Sequence, residues 1–435
     1  MSLSNSKIEQ IKGFTLLKGG KVYDPFIGFD EASDVLIEDG KIVDISENIK
    51  NNDNYNLIDC SGCIITNGFI DLHSHFREPG FEIKETVNTG AVSAFYGGFT
   101  RVCIMPNTSP VIDTPELVSH LVKKNNYLPI NLYPIGAITK GQEGNELAEI
   151  GGMVSAGAVA ISDDGIPVKN SQVFRMAIEY ARKFNIPVIN HAEDGCLVNS
   201  GVVNEGIQSL KLGLAGNPDI AESTMIYRDL SIAEYVFGKI HVPHVTSAKS
   251  VDVIKVFKNR GVSVTAEVTP HHLCLTEDIL KTFDTNAKVA PPIRSSEDKK
   301  ALINAIKKGY IDCIATDHAP HTIEDKEKDF NHAPCGMIGL ESAFGLVCNT
   351  LLKENVNINS IIDLFTINPS KIMNIRPSFI EVGNQAEINV LDPKCKWEFK
   401  DSDIHSKSCN SPIVGMHLMG KINLTINKGY ILNKK

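Results

Sequence analysis

The chain has 435 residues, 42% of them hydrophobic, and a formal charge of −9. That length suits a barrel-sized domain plus a smaller one, with a sizeable buried core. The acidic balance, with no Lys/Arg block, argues against a nucleic-acid or anionic-membrane surface, and with neither a signal-peptide pattern nor an apolar run near the ~18–20 residues of a membrane span the expected location is cytoplasmic.

Residues 14–66 read as short strands with tight turns, their apolar residues gathered in 14–23, 34–45 and 57–65. Glu38-Asp39-Gly40-Lys41 is a hairpin signal, because Asp-Gly adopts the positive φ angles of a two-residue turn at little cost. Segments 386–391 and 418–431 have the same character. The two ends, 1–65 and 377–435, are therefore expected to form one small composite β-sandwich domain. Ten cysteines are no disulfide framework at this length. Cys60-Ser61-Gly62-Cys63 has no companion CxxC and is expected to be a reduced pair.

The middle, 66–376, alternates short apolar runs with longer helical patterns. Strands are predicted at 69–75, 101–105, 131–135, 158–162, 187–190, 239–245, 263–268 and 312–316, with helices such as 172–184 and 250–259 between them. Eight βα units predict an α/β fold built on a (β/α)8 TIM-type barrel. The charged run at 324–329 reads as a solvated loop near the site.

A barrel places its active site at the C-terminal ends of its strands. His73 and His75 end the first predicted strand, and an alternating strand puts both on one face. Arg77 falls on that face too if the strand continues, where it could grip a carboxylate. Asp163-Asp164-Gly165 ends the fourth strand, Asn190-His191-Ala192-Glu193 the fifth, His244 the sixth, and Asp317-His318-Ala319-Pro320-His321 the eighth. One histidine after a strand is usually structural; candidate ligands at five of eight strand ends are a pattern. They exceed what one catalytic zinc requires, which suggests two metals sharing a bridge. His271-His272, after the seventh strand, is read as structural or as supporting the ligands from behind rather than as ligating, and Cys335, with no apparent relay partner, as a packing and loop residue.

Taken together, these segments resemble the amidohydrolase superfamily, and within it the bacterial type I dihydroorotases, over nearly the whole chain. The resemblance rests on 71–80 (Asp-Leu-His-Ser-His-Phe-Arg-Glu-Pro-Gly), Met105-Pro106-Asn107-Thr108, Ser162-Asp163-Asp164-Gly165, Asn190-His191-Ala192-Glu193, 267–273 (Glu-Val-Thr-Pro-His-His-Leu), 315–321 (Ala-Thr-Asp-His-Ala-Pro-His) and 336–341 (Gly-Met-Ile-Gly-Leu-Glu). It implies that His73, His75 and Asp317 bind one Zn²⁺ and His191 and His244 a second, with Asp164 and a water or hydroxide bridging them. Many relatives use a carboxylated lysine as the bridge; this group uses the aspartate. Asp164 is preferred over Asp163 by its spacing to His191 in the family pattern. Arg77, Asn107 and His321 would hold the substrate carboxylate, and Cys335 and Gly336 would approach the ring through their backbone. One position departs from the pattern: Ala290 precedes Pro291-Pro292 where an asparagine often helps to hold substrate.

The implied activity is that of a zinc-dependent cyclic amide hydrolase, a dihydroorotase. It would convert N-carbamoyl-L-aspartate reversibly to dihydroorotate in pyrimidine biosynthesis. In the hydrolytic direction a metal-bridged hydroxide attacks the ring carbonyl, and Asp317 carries the proton to the leaving nitrogen. The alternatives are another cyclic amidohydrolase, such as allantoinase or dihydropyrimidinase, and a non-catalytic homologue partnering aspartate carbamoyltransferase. Arg77 argues against the former, whose substrates lack the carboxylate, and the complete ligand set against the latter. By analogy alone, a homodimer or an aspartate carbamoyltransferase complex is the expected assembly.

Overall fold

The structure, a computed structural model, describes residues 7–434. Eight parallel strands run through the middle of the chain: β1 (Phe69–Ser74), β2 (Phe99–Ile104), β3 (Asn131–Pro134), β4 (Ile161–Asp163), β5 (Val188–Asn190), β6 (Ile240–Val242), β7 (Val264–Val268) and β8 (Cys313–Ile314). Each overlaps its predicted segment. They form two parallel ladders, β1 to β3 and β4 to β8, in chain order. A parallel bridge between Gly136 and Ile161 joins the ladders at one seam, and another between Ser74 and His318 joins them at the other. The predicted helices appear as Ser171–Arg182 and Ala248–Asn259.

The strands are apolar on both faces because both are covered. Phe69, Phe99, Val102, Ile161, Val188 and Ile240 belong to the large core shared with the helices. Ile70, Leu72, Cys103, Ile135, Ile189 and Cys313 pack in a separate cluster of smaller size. Phe69 stacks on Phe365 at 4.9 Å between ring centroids, tying the first strand to the segment after the last.

Two further sheets come from the chain ends. One has seven strands in the order Ile8–Gln10, Tyr430–Asn433, His417–Asn427, Ile388–Glu398, Ile64–Asn67, Lys21–Asp24, Phe29–Ala32. The other has four, Lys41–Ser46, Asp34–Glu38, Phe14–Lys18 and Tyr55–Asp59. Leu17, Ile37, Ile58, Val22, Ile65, Ile388 and Leu424, drawn from both sheets, share one apolar core. The predicted hairpin is present: Glu38 pairs with Lys41, and Asp39 and Gly40 have φ of 47° and 83°. Gly68 links Ile64–Asn67 to β1, and a Cβ there would meet Thr100 Oγ1 at 2.1 Å. No helix among the described residues is long and apolar enough to cross a membrane.

Two local expectations change. β1 ends at Ser74, and Arg77 has a left-handed backbone, φ 60°, so the arginine does not reach the site by continued alternation. The charged run is not simply a solvated loop: Ile323–Lys326 forms a short helix in which Lys326 is buried.

Candidate active site

The strand ends bring His73, His75, Asp164, His191, His244 and Asp317 into one cluster, all buried. Asp164 lies at its centre. Its Oδ1 is 3.5 Å from His73 Nε2, 3.5 Å from His191 Nδ1 and 3.6 Å from His244 Nε2, and its Oδ2 is 3.5 Å from His75 Nε2. Asp317 Oδ1 sits 3.0 Å from His75 Nε2 and 3.5 Å from His73 Nε2. Asp163 turns away and accepts hydrogen bonds from the backbone N–H groups of Ile138 and Thr139. His244, Asp317 and Arg77 all have positive φ, 32°, 47° and 60°, so three of the converging side chains hang from strained backbone.

The outer ring nitrogens of three histidines face oxygen acceptors. His73 Nδ1 meets Glu267 Oε1 at 2.8 Å, His191 Nε2 meets Glu193 Oε2 at 2.9 Å, and His75 Nδ1 meets Asn107 Oδ1 at 2.9 Å. An acceptor takes the ring N–H, so the inner nitrogen of each ring presents a lone pair toward Asp164 or Asp317. Lone pairs facing carboxylates call for a cation between them. Consistent with that, His73 Nε2 and Asp164 Oδ1 are buried without a hydrogen-bond partner, and His73, His75 and Asp317, like His73, Asp164 and His244, are close enough to share an ion. This donor set fits a divalent metal.

The charges tell the same story. Burial opposes charge on His73, but Asp164, Asp317 and Glu267 outweigh it and raise the ring well above the usual imidazole range. Burial alone would raise the carboxyls of Asp164 and Asp317; the facing histidines, His73 foremost, hold both well below the usual carboxylate range. The carboxylates favour positive charge at the centre of the cluster, while burial keeps the His75 ring below the usual imidazole range; a metal ion can supply that charge.

A cavity of about 350 Å³ opens onto the cluster and is lined by Arg77, Asn107, Ala290, His321, Cys335 and Gly336 among others. Burial draws the Arg77 guanidinium down to about 10, still charged at neutral pH. Asn107 directs Oδ1 to His75, which leaves its amide N–H groups available. His321 Nε2–H donates to Cys335 O at 2.8 Å, and its Nδ1 accepts from Lys84 Nζ at 3.2 Å. The Gly336 N–H is held by Lys288 O and its carbonyl by Asn410. The backbone of Cys335-Gly336 is therefore largely engaged already. Gly336, at φ 132°, allows the close approach: a Cβ would lie 2.7 Å from the Ala319 Cβ. A larger cleft of about 700 Å³ surrounds Asp312 and Asn368, near the start of β8, and holds none of these residues.

Sequence reading assigned no role to Glu193 or Glu267. The signals were present. Glu193 lies two residues beyond His191, and Glu267 is a carboxylate inside the apolar strand β7, where an ionised group persists only with partners. His271 and His272 are buried; His272 bonds Thr269 Oγ1 and Pro291 O, in keeping with a structural role.

Comparison with known proteins places this arrangement. Residues 62–250 match the family model described as dihydro-orotase-like. A dihydroorotase of Citrifermentans bemidjiense is 41% identical over 96% of this chain and 99% of its own length, and one of Acetivibrio thermocellus is 43% identical over 96% and 98%. Among solved structures, L-hydantoinase (dihydropyrimidinase) from Arthrobacter aurescens superposes with a TM-score of 0.84 at 24% identity, covering 98% of this chain and 97% of that one. A D-hydantoinase gives 0.83 at 20% identity, covering 97% and 96%. The hydantoinases share the mixed α/β fold; the sequence relatives give the family, and the chain belongs to the dihydroorotase family.

Proposed function

We propose that the chain is a metal-dependent dihydroorotase, closing N-carbamoyl-L-aspartate to dihydroorotate and catalysing the reverse hydrolysis. The observation that carries this reading is the position of Arg77: a charged guanidinium in the wall of a cavity that opens onto the His/Asp cluster. A cyclic amide bearing a carboxylate needs both. A hydantoin or dihydropyrimidine ring without that carboxylate would leave Arg77, whose Nε donates to Pro320 O at 3.2 Å, without an anionic partner for its Nη groups. The eight parallel strands, bridged at both seams, we read as a closed (β/α)8 barrel over 66–376, and the two terminal sheets as a β-sandwich over 1–65 and 377–435.

His73, His75 and Asp317 would hold one ion, His191 and His244 a second, and Asp164 would touch both; Zn²⁺ suits these ligands. When bound, such ions supply Lewis acidity and make water nucleophilic at neutral pH. The chain's own groups do the rest. Arg77 and an Asn107 amide N–H donate to the substrate carboxylate and fix the ring, a positioning effect worth at most roughly 7–11 kcal/mol of barrier. His321 would exchange its bond to Cys335 O for one to a substrate oxygen. Asp317, held ionised, takes the proton of the attacking water and returns it to the departing ring nitrogen. Ala290 leaves one side of the cavity without a polar side chain, so the ring's other polar atoms must meet backbone or water there.

The test is hydrolysis of dihydroorotate, dihydrouracil and allantoin by the purified protein, with and without chelator. Chelator-sensitive turnover of dihydroorotate in clear preference is expected. Turnover of the other two with none of dihydroorotate would overturn the assignment.

A further inference from the structure

Beneath the cluster, Glu267 on β7 makes more contacts with the candidate ligands than its place in an apolar strand requires. Oε1 accepts from His73 Nδ1 at 2.8 Å and from the backbone N–H of His244 at 3.3 Å. Oε2 accepts from His241 Nε2 at 3.0 Å, and the other nitrogen of His241 meets Thr265 Oγ1 at 2.8 Å. Glu267 and His241 are each 1% exposed. A carboxylate buried this deeply is costly unless its lone pairs are filled, and here three donors fill them. Two of those donors belong to the residues assigned to different ions, His73 to the first and His244 to the second.

We infer that Glu267, backed by His241 and Thr265, is the positioning residue that sets the metal affinity of the site. The inference rests on the metal reading above. A carboxylate on Nδ1–H fixes the ring tautomer and leaves Nε2 of His73 as the ligand atom; it also makes that nitrogen a better donor. The bond to the His244 N–H steadies a residue whose backbone is in the left-handed region, φ 32°. One side chain thus holds a ligand of each ion in register. His241 acts one step further out, by holding the second oxygen so that Glu267 cannot rotate away from His73.

The competing use of these residues is a third metal site, since His241, Glu267 and Cys313 also lie close enough together to share an ion. Against it, both ring nitrogens of His241 are already engaged and all three residues are sealed from solvent.

The experiment strips the full-length protein with chelator and titrates it with Zn²⁺ or Co²⁺ alone against a chromophoric competitor. Wild type, Glu267→Gln, Glu267→Ala and His241→Gln are compared, with apo folding checked by circular dichroism and metal per chain counted. Glutamine keeps the volume but offers one acceptor oxygen where two are used, and it keeps the test open if the alanine variant fails to fold. Loss of affinity of roughly 10- to 100-fold is expected for Glu267→Ala, a smaller loss for Glu267→Gln, and the smallest for His241→Gln, whose residue touches no ligand. A merely structural Glu267 would lower the apo melting temperature and leave the affinity of the folded protein within threefold of wild type; that result would overturn the inference. So would a wild-type stoichiometry of three ions falling to two in the Glu267 variants. A wild type that binds no metal would overturn the metal reading itself.

Discussion

Arg77 Nη2 lies 3.4 Å from His321 Nε2, which brings the segment after β1 against the segment after β8. Because the His321 Nε2–H is directed to Cys335 O, the two nitrogens are both donors and do not bond one another. Arg77 Nη2 is thus not spent on His321, and His321 adds a second donor for an anion once its Nε2–H exchanges Cys335 O for the ligand. Arg77→Ala should therefore lower kcat/KM for dihydroorotate by about a hundredfold or more, near 3 kcal/mol, with Arg77→Lys between it and wild type because lysine cannot make a two-toothed grip. Steady-state kinetics on both variants, with dihydrouracil as a substrate lacking the carboxylate, decides it. Unchanged kcat/KM for dihydroorotate would refute the clamp.

The central position of Asp164 leads to a prediction about metal removal. A ligand that binds only the folded state stabilises it by about 4 kcal/mol at a thousandfold excess over Kd. Chelator-treated protein should melt at a lower temperature than metal-loaded protein, and adding Zn²⁺ should restore both melting temperature and activity. Asp164→Asn should lose most of the metal-dependent increment, since an amide oxygen is a poorer bridge than a carboxylate facing four imidazoles. An increment equal to wild type would remove Asp164 from the metal centre.

Much of this site could be read in the chain because strand-end residues are local. A histidine or aspartate that follows an apolar run declares its place in a parallel array, and that rule marks the segments holding all six cluster residues; the choice of Asp164 over its neighbour Asp163, and of Asp317 within 317–321, comes from the family resemblance. What could not be read is what reaches in from elsewhere. Arg77 lies beyond the end of β1 and enters the cavity through a left-handed turn, which no alternation rule describes. Lys326 lies amid Asp and Glu, but its ammonium is folded under the loop against the carbonyls of Pro334, eight residues on, and Thr285, 41 residues back. Glu267 is a carboxylate inside apolar β7; its partner His73 lies 194 residues away, and only the side-by-side arrangement of the parallel strands joins them.

The same long-range logic governs stability. Arg101 on β2 forms a two-bond ion pair with Glu387, through Nε to Oε1 at 2.7 Å and Nη2 to Oε2 at 2.7 Å, joining the parallel strands to the sheet built from the chain ends. Both residues are buried. Breaking such a pair from one side leaves an uncompensated charge and costs about 3–5 kcal/mol. Glu387→Gln or Arg101→Met should therefore lower the melting temperature by several degrees while leaving kcat near wild type, and the double variant should recover part of the loss. Additive losses in a double-mutant cycle would show the pair to be uncoupled.

Lys326 offers a pH-dependent test of the loop that carries Cys335 and Gly336. Its Nζ donates to Thr285 O at 3.0 Å and to Pro334 O at 2.8 Å, while burial, the main cause, draws its pKa from 10.5 to about 8. The sign follows from proton counting. Between pH 8 and 10.5 the unfolded chain holds a proton on this lysine that the folded protein has released, so stability rises with pH across that window and is unaffected by this group below it. Lys326→Met lacks the titration and both hydrogen bonds. Relative to that variant, wild type should gain stability by about 2–3 kcal/mol between pH 8 and 10.5, with a flat difference from pH 6 to 7.5. Thermal melts of the two proteins across this range measure it directly. A difference that stays constant to pH 10.5 would mean that the ammonium is solvated, and a difference that shrinks would mean that an acidic partner holds its charge.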